Sequence, residues 1–276
     1  MIHYPTTHGS KAEGNLKRKF LSLNIAHYVD NLYLWPLKPT FDVVMKRLLL
    51  LGMMIWNMIF GHAADPVDWA NKAYYSQANR ELMTRDNDPL RIVMMGNSIT
   101  EFWADTHPQF FTVNHLVGRG ISGQVSSQML ARFRQDVLNL NPRIVVINCG
   151  TNDIAENNGH YDEDITMDNI ISMTELALAH NIEVVLSSVL PCDKFCWNAA
   201  ITDAPEKIEH LNKCIMGYVS LNPQVHYLDY FSSMTNDGYS MIPSFTDDGV
   251  HPNARGYDMM EVKLLEILKI LNQSNY

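Results

Sequence analysis

Three separated groups of polar residues have the side-chain types that acyl transfer needs. Ser98 lies in Gly-Asn-Ser-Ile-Thr at 96–100, directly after an apolar run. Asn152 likewise follows an apolar run, and Asp248 stands three residues before His251. Together they would supply a hydroxyl nucleophile, an amide donor for a developing oxyanion, and an imidazole oriented by a carboxylate.

Each group taken alone has a more common structural interpretation. A serine at such a turn often caps the following helix, and Asn152 with Asp153 could form an ordinary Asx-turn. An Asp-x-x-His pair is weak evidence in a chain with 11 histidines. The segment around Ser98 also departs from Gly-x-Ser-x-Gly, because Thr100 occupies the last position. The functional interpretation depends on the three groups occurring together.

The pattern of apolar and amphipathic segments explains how these groups could meet. Short apolar runs predict buried parallel strands, and the segments between them have a helical period; this alternation indicates a parallel sheet with helices on both faces. Function in such sheets lies at the carboxyl ends of the strands, where Ser98 and Asn152 are placed. The predicted strands are 91–96, 144–148, 183–189 and, more weakly, 224–228, and the predicted helices are 69–85, 125–140, 166–180, 205–221 and 254–271.

These motifs and their order resemble the SGNH hydrolases, also called the GDSL-like lipase and acylhydrolase family, from about residue 91 to 271. The resemblance implies a three-layer α/β/α sandwich with a flavodoxin-like parallel sheet. It also implies Ser98 as nucleophile, with Asp248 and His251 as acid and base, and no cofactor or metal. The oxyanion hole would be formed by the N–H groups of Ser98 and Gly123 and by the side chain of Asn152.

Two features of the motifs differ from this pattern or compete with it. The family's usual Asp before the nucleophile is Asn97 here, which keeps a short hydrogen-bonding side chain without the charge. The segment 118–123 also fits Gly-x-Gly-x-x-Gly, a dinucleotide-binding signature. The stretch before it is interrupted by Asn114 and His115, and no acidic residue follows at the expected distance. The oxyanion-loop interpretation is therefore favoured.

Composition and charge limit the class of protein. The chain has 276 residues, 46% of them hydrophobic, and residues 65–276 are long enough for one sizeable α/β domain. A formal net charge of −9 argues against nucleic acid or an anionic membrane as partner, since both attract a basic surface. A small ester, such as an acetylated carbohydrate, is the expected binding partner.

The N-terminal part of the sequence predicts export. Met45-Lys46-Arg47 is followed by an apolar run at 48–60 and by Ala63-Ala64, which is the pattern of a secretory signal peptide at 45–64. The run is shorter than the roughly 20 residues that cross a bilayer. The mature protein would be periplasmic or secreted, and residues 1–44 would be a misassigned or disordered extension. A membrane anchor or a folded N-terminal arm is the alternative.

Four cysteines and one tryptophan have open interpretations. Cys192 and Cys196 are close enough in sequence to pair across a loop, and an exported domain permits but does not require this. Neither the cysteine spacing nor the neighbouring histidines predict a zinc site. Trp197, after the strand 183–189, could form a wall of the substrate pocket or simply pack.

The expected activity is hydrolysis of small acyl esters, with O-acetyl groups of carbohydrates as the first candidate substrate. No lid-like apolar insertion is present in the sequence, which favours short acyl groups. A lysophospholipase or short-chain lipase is the enzymatic alternative and would prefer longer acyl chains. A catalytically silent carbohydrate-binding domain on the same scaffold is the alternative from another class, and Ser98, Asn152 and His251 argue against it.

Overall fold

The computed structural model describes residues 68–85 and 88–273. All of these residues belong to the compact unit His62–Tyr276. The predicted N-terminal extension and signal peptide lie outside the described residues. Among the described residues, no helix has the length and apolar character needed to cross a membrane.

A five-stranded, entirely parallel sheet forms the centre of the domain. Its strand order is β2-β1-β3-β4-β5, the flavodoxin-like order, so the predicted fold class is confirmed. The runs predicted as strands are all strands, each within two residues of its predicted ends. The five strands are β1 (Ile92–Gly96), β2 (Leu116–Gly120), β3 (Ile144–Ile147), β4 (Glu183–Ser187) and β5 (Val225–Leu228).

The residues before the glycine-rich segment at 118–123 do not form a single strand. It forms a helix over Pro108–Val113, and His115 then reverses the chain with a φ of 57° before β2 begins at Leu116. Gly118 and Gly120 are residues of β2 itself. A dinucleotide fingerprint needs its first glycine in the turn after the strand, so the segment lacks that placement.

Nine α-helices of the described chain connect and cover the strands. They are α1 (Ser76–Arg85), α2 (Ser98–Thr106), α3 (Pro108–Val113), α4 (Ser126–Asp136), α5 (Thr151–Ile154), α6 (Glu163–Leu178), α7 (Ala204–Leu221), α8 (Phe231–Met234) and α9 (Ala254–Gln273). Short 3₁₀ turns lie at Leu138–Leu140 and Pro243–Phe245.

The first helix is shorter than predicted. The apolar period predicts a helix over 69–85, but α1 begins at Ser76. Asn71 has a φ of 51°, a left-handed conformation that a continuous helix does not contain. The Asp68 carboxylate accepts the N–H groups of Lys72 and Ala73 at 2.8 and 3.0 Å, so local side-chain hydrogen bonds replace the helical ones.

Two apolar layers hold helices on opposite faces of the sheet. Alternate strand residues such as Val93 and Met95 pack with α4, α6 and α7, whereas Ile92 and Met94 pack with α2, α3 and α9. Because both faces are covered, the central strands β1 and β3 contain no polar side chain, as the sequence pattern requires.

The carboxyl edge of the sheet brings the distant motifs together. β1 ends at Gly96 and β3 at Ile147, and the two strands are neighbours. β2 ends beside β1 at Gly120, where a Cβ atom would lie 2.3 Å from the Glu101 nitrogen and 2.4 Å from the Asn97 oxygen. Only glycine permits this close approach. The turn after β2 is therefore held against the first turn of α2, which contains Ser98.

Candidate active site

Ser98, His251 and Asp248 form a hydrogen-bonded series at this edge. Ser98 Oγ lies 2.9 Å from His251 Nε2, and His251 Nδ1 lies 2.7 Å from Asp248 Oδ2. Ser98 and His251 are 153 residues apart in the sequence, so the fold alone brings them together. In this arrangement the carboxylate fixes the imidazole tautomer that can accept the serine proton.

The Asp248 carboxylate is fixed by its own loop. Its Oδ1 accepts the N–H groups of Val250 at 2.9 Å and of His251 at 2.8 Å. Burial alone would raise the pKa of Asp248. The hydrogen bond and charge of the His251 ring, together with these N–H groups, outweigh burial and lower the pKa to about 2. The carboxylate is therefore ionised at neutral pH and oriented toward the imidazole.

Asn97, and not Ser98, caps the helix that follows the first motif. Asn97 Oδ1 accepts the N–H of Ile99 at 3.1 Å, which satisfies one of the free donors at the start of α2. Ser98 is the first residue of α2, and its hydroxyl lies beside His251 instead. The capping interpretation of Ser98 is thus wrong. Asn97, which stands where the family usually has aspartate, is still a good capping residue.

The segment after β2 forms a tight turn beside Ser98. The N–H of Gln124 donates to the Ile121 carbonyl at 3.3 Å, and Gly123 has the positive φ of 78° that a type II turn needs at its third position. Within residues 68–85 and 88–273, no backbone hydrogen bond uses the Gly123 N–H. Glu101, one turn after Ser98, accepts the Ser122 N–H at 2.7 Å and also its hydroxyl. The turn is therefore tied directly to α2.

Neighbouring side chains determine which way the Asn152 amide points. Its Nδ2 donates to the Gln124 carbonyl at 2.9 Å, and its Oδ1 accepts from Asn157 Nδ2 at 2.9 Å. Asn157 Oδ1 in turn accepts from Trp197 Nε1 at 2.9 Å. Because Asn157 donates to the Asn152 oxygen, the Asn152 nitrogen is held toward the Gln124 carbonyl, and its second hydrogen has no partner among the described residues. The sequence motifs did not indicate Asn157.

Two aromatic side chains flank the histidine. The ring centroids of Phe102 and Trp197 lie 5.3 and 6.2 Å from that of His251, and each side chain is 37% exposed. Trp103 and Phe195 are instead buried at 1% exposure. Exposed aromatic surface beside polar groups is characteristic of a ligand site. Trp197 lies beside His251, as its predicted role as a wall of the substrate pocket requires. The sequence did not indicate Phe102.

A fully buried arginine links the segment before Ser98 to the turn after β2. Arg132, 0% exposed, donates to the Gly96 carbonyl at 2.9 Å, to Gln124 Oε1 at 2.5 Å and to Asp136 at 2.9 Å. Asn79 also donates to Asp136, at 2.6 Å. The sequence spacing could have indicated this ion pair. Arg132 and Asp136 stand four residues apart, which places them on the same, otherwise apolar, helix face.

The cysteines are all unpaired in the described structure. The Cys192 thiol donates to the Lys194 carbonyl at 3.0 Å, and Cys196 is exposed. The structure therefore shows no Cys192–Cys196 disulfide.

A parallel sheet in the 2-1-3-4-5 order, with serine, aspartate and histidine hydrogen bonded at its carboxyl edge, defines the class of SGNH-type hydrolases. The sequence profile of the GDSL-like lipase/acylhydrolase family matches residues 94–259, and the chain belongs to this family. The predicted family is thus confirmed. No protein with a curated description matches the sequence.

Several solved structures have the same fold. A candidate acylhydrolase from Bacteroides fragilis is 50% identical, with 74% of this chain and 98% of that chain covered and a TM-score of 0.71. A GDSL-like lipase from Bacteroides thetaiotaomicron is 47% identical, with 73% and 98% covered and a TM-score of 0.71. An acetyl xylan esterase, 21% identical with 64% and 98% covered and a TM-score of 0.53, shows likeness of fold alone.

The depressed pKa of Asp248 predicts an acid-sensitive contribution to stability. Folding lowers this pKa from about 4 in an unfolded chain to about 2, so the contribution is complete above about pH 4. It is lost as the pH falls toward 2. Asp248→Asn should therefore lose less stability than the wild type over that range, as measured by urea unfolding at several pH values. The exposed neighbour provides the control variant Asp247→Asn, which should behave as the wild type; identical pH dependence in all three proteins would contradict the prediction.

Proposed function

We propose that the protein is a serine esterase that forms an acyl-enzyme on Ser98. The observation that most directly supports this is the contact series Ser98 Oγ to His251 Nε2 at 2.9 Å and His251 Nδ1 to Asp248 at 2.7 Å. Membership of an acylhydrolase family supports the same reaction class. A silent binding domain would have no use for this geometry.

The first step forms the bond between Ser98 Oγ and the ester carbonyl carbon. As the bond forms, His251 Nε2 takes the hydroxyl proton and the carbonyl π electrons move to oxygen. The tetrahedral intermediate then collapses, and the alcohol leaves with the proton from His251. Water, deprotonated by the same nitrogen, attacks the acyl-enzyme, releases the acid and restores the serine. Ionised Asp248 stabilises the imidazolium in both halves.

Three donors are proposed to stabilise the oxyanion. They are the N–H of Ser98, free because it is in the first turn of α2, the N–H of Gly123, and the second Nδ2 hydrogen of Asn152. The start of α2 adds the positive end of a helix dipole. Donors that are already oriented need no reorganisation when the charge develops, which is the basis of their effect on rate.

The proposed substrate is a small acyl ester, with O-acetyl groups on carbohydrate as the preferred class. Phe102 and Trp197 present partly exposed aromatic surface near His251, and the apolar faces of a sugar ring can pack on such surfaces. The relatives with 50% and 47% identity are described as an acylhydrolase and a lipase, which supports ester hydrolysis without choosing the acyl chain.

Replacing the nucleophile should abolish most turnover. Ser98→Ala should lower kcat by a factor on the order of 10⁴ or more, because members of such a triad act as a unit. Hydrolysis of p-nitrophenyl acetate by the full chain measures this, with Ser220→Ala, a change on the exposed part of α7, as control. Near-normal turnover in Ser98→Ala would overturn the assignment.

A p-nitrophenyl ester series of increasing chain length should favour acetate, and preference for long chains would point to a lipase instead.

Asn157 is proposed as a positioning residue that acts through Asn152. Asn157→Asp keeps the acceptor for Trp197 but replaces the donor to Asn152 with an oxygen, so the Asn152 amide should rotate and withdraw its hydrogen from the oxyanion. Loss of one such donor costs about 10²- to 10³-fold in kcat. Asn157→Asp should approach that loss with little change in KM.

A double-mutant cycle separates positioning from a general structural effect. In an Asn152→Ala background, Asn157→Asp should cost little further activity, because the amide that it orients is already gone. Fully additive losses would contradict the proposed role.

A further inference from the structure

The packing of two helices on one face of the sheet creates a second group of reactive side chains. Glu163 is the first residue of α6, while His210 and Cys214 stand four residues apart on α7 and share one helix face. The carboxylate, imidazole and thiol each present one ligand atom, and these atoms all lie within 4.8 Å of one another. Neither the proposed reaction nor the triad involves them.

The distances among these atoms match a metal site. His210 Nδ1 lies 2.6 Å from Glu163 Oε2, and Cys214 Sγ lies 3.5 Å from Glu163 Oε1 and 3.9 Å from His210 Nδ1. Ligands of a tetrahedral zinc ion, bound at about 2.0 to 2.3 Å, are separated by about 3.3 to 3.6 Å. To reach these separations the imidazole–carboxylate pair would open by about 0.7 Å and the thiol–imidazole pair would close by about 0.3 Å.

We propose that Glu163, His210 and Cys214 bind Zn²⁺, with water as the fourth ligand. A mixed nitrogen, sulfur and oxygen set suits zinc better than calcium or magnesium, which take oxygen ligands. The bound ion would join α6 to α7 and so link two helices that cover the same face of the sheet. The proposed zinc ligands are not residues of the catalytic triad, so the zinc proposal is independent of the proposed function.

The local charge favours a dication. The Glu163 carboxylate contacts both the His210 imidazole and the Cys214 thiol. A metal ion supplies the positive charge that the thiolate lacks and releases the thiol proton on binding. Lys207, one turn earlier on α7, is paired with Asp203 at 2.9 Å.

A second group of potential ligands is less suitable. His107, Asp258 and Glu261 also come within metal-binding distance of each other. There the Glu261 oxygen already accepts from both His107 Nδ1 at 2.5 Å and Trp103 Nε1 at 3.2 Å, so it has a structural role, and this group contains no thiol.

Cobalt substitution tests the zinc proposal without reference to activity. The reduced full-length protein should bind one Co²⁺ with a thiolate-to-cobalt charge-transfer band and the intense visible bands of a tetrahedral site, and Zn²⁺ should displace it. Cys214→Ser should lose the charge-transfer band, and His210→Ala and Glu163→Gln should lose or weaken binding. Cys196→Ser, which removes another accessible thiol, and Ser98→Ala should retain it.

The outcomes distinguish the sites. Absence of a charge-transfer band in the folded, reduced wild type would overturn the proposal. A band that survives Cys214→Ser but disappears in Cys196→Ser would also overturn it and place the thiolate ligand in the loop of Cys196. Retention of the band in Ser98→Ala, with esterase activity abolished, would show that metal binding and hydrolysis are separate properties.

Discussion

The active-site edge depends on one buried ion pair, that of Arg132 with Asp136. A guanidinium with no exposed surface is tolerated only if its charge and its donors find partners. Burial lowers the pKa of Arg132, and the Asp136 carboxylate opposes that effect. Other donors of Arg132 bond to the Gly96 carbonyl, two residues before Ser98, and to Gln124, the last residue of the turn after β2. Removal of one partner of such a pair typically costs about 3–5 kcal/mol, so these segments are strongly constrained.

This constraint extends to the donors that would meet the substrate. Gln124 accepts from Arg132 through its side chain and from Asn152 through its carbonyl, so Arg132 and the Asn152 amide bond to the same residue. On the other side of the turn, Glu101 holds Ser122. The geometry around Ser98 is thus fixed by polar contacts from α2 and α4 and by the close approach at Gly120, whereas the His251 loop supplies its own hydrogen bonds through Asp248. Such support holds reacting groups in position before the substrate binds.

The sequence allowed most of the architecture to be predicted because buried parallel strands have an unmistakable pattern. Uninterrupted apolar runs placed β1, β3 and β4 within two residues, and the order of motifs at their ends indicated the family. β2 was harder, since Gly118, Arg119 and Gly120 make up most of it. Its strand character comes from pairing with β1, a tertiary effect that local composition does not reveal.

The details of the site were less accessible. The sequence indicated Ser98 and His251, but not that Asn97 would take the capping role or that Asn157 would occupy the Asn152 oxygen. Both facts depend on which way a short polar side chain turns, and hydrogen-bond partners far away in sequence decide that. The zinc proposal likewise depends on the tertiary structure. Cysteine spacing could not show that Glu163, from another helix, lies beside His210 and Cys214.

The most direct test of the central claim is covalent labelling of the nucleophile. A fluorophosphonate forms a bond between its phosphorus and an activated serine oxygen and expels fluoride, and peptide mass spectrometry then locates the adduct. We expect a single adduct on Ser98 in the wild type, with labelling greatly slowed in His251→Ala although Ser98 is still present. A folded wild-type protein that remains unlabelled, or one labelled on another serine, would contradict the account.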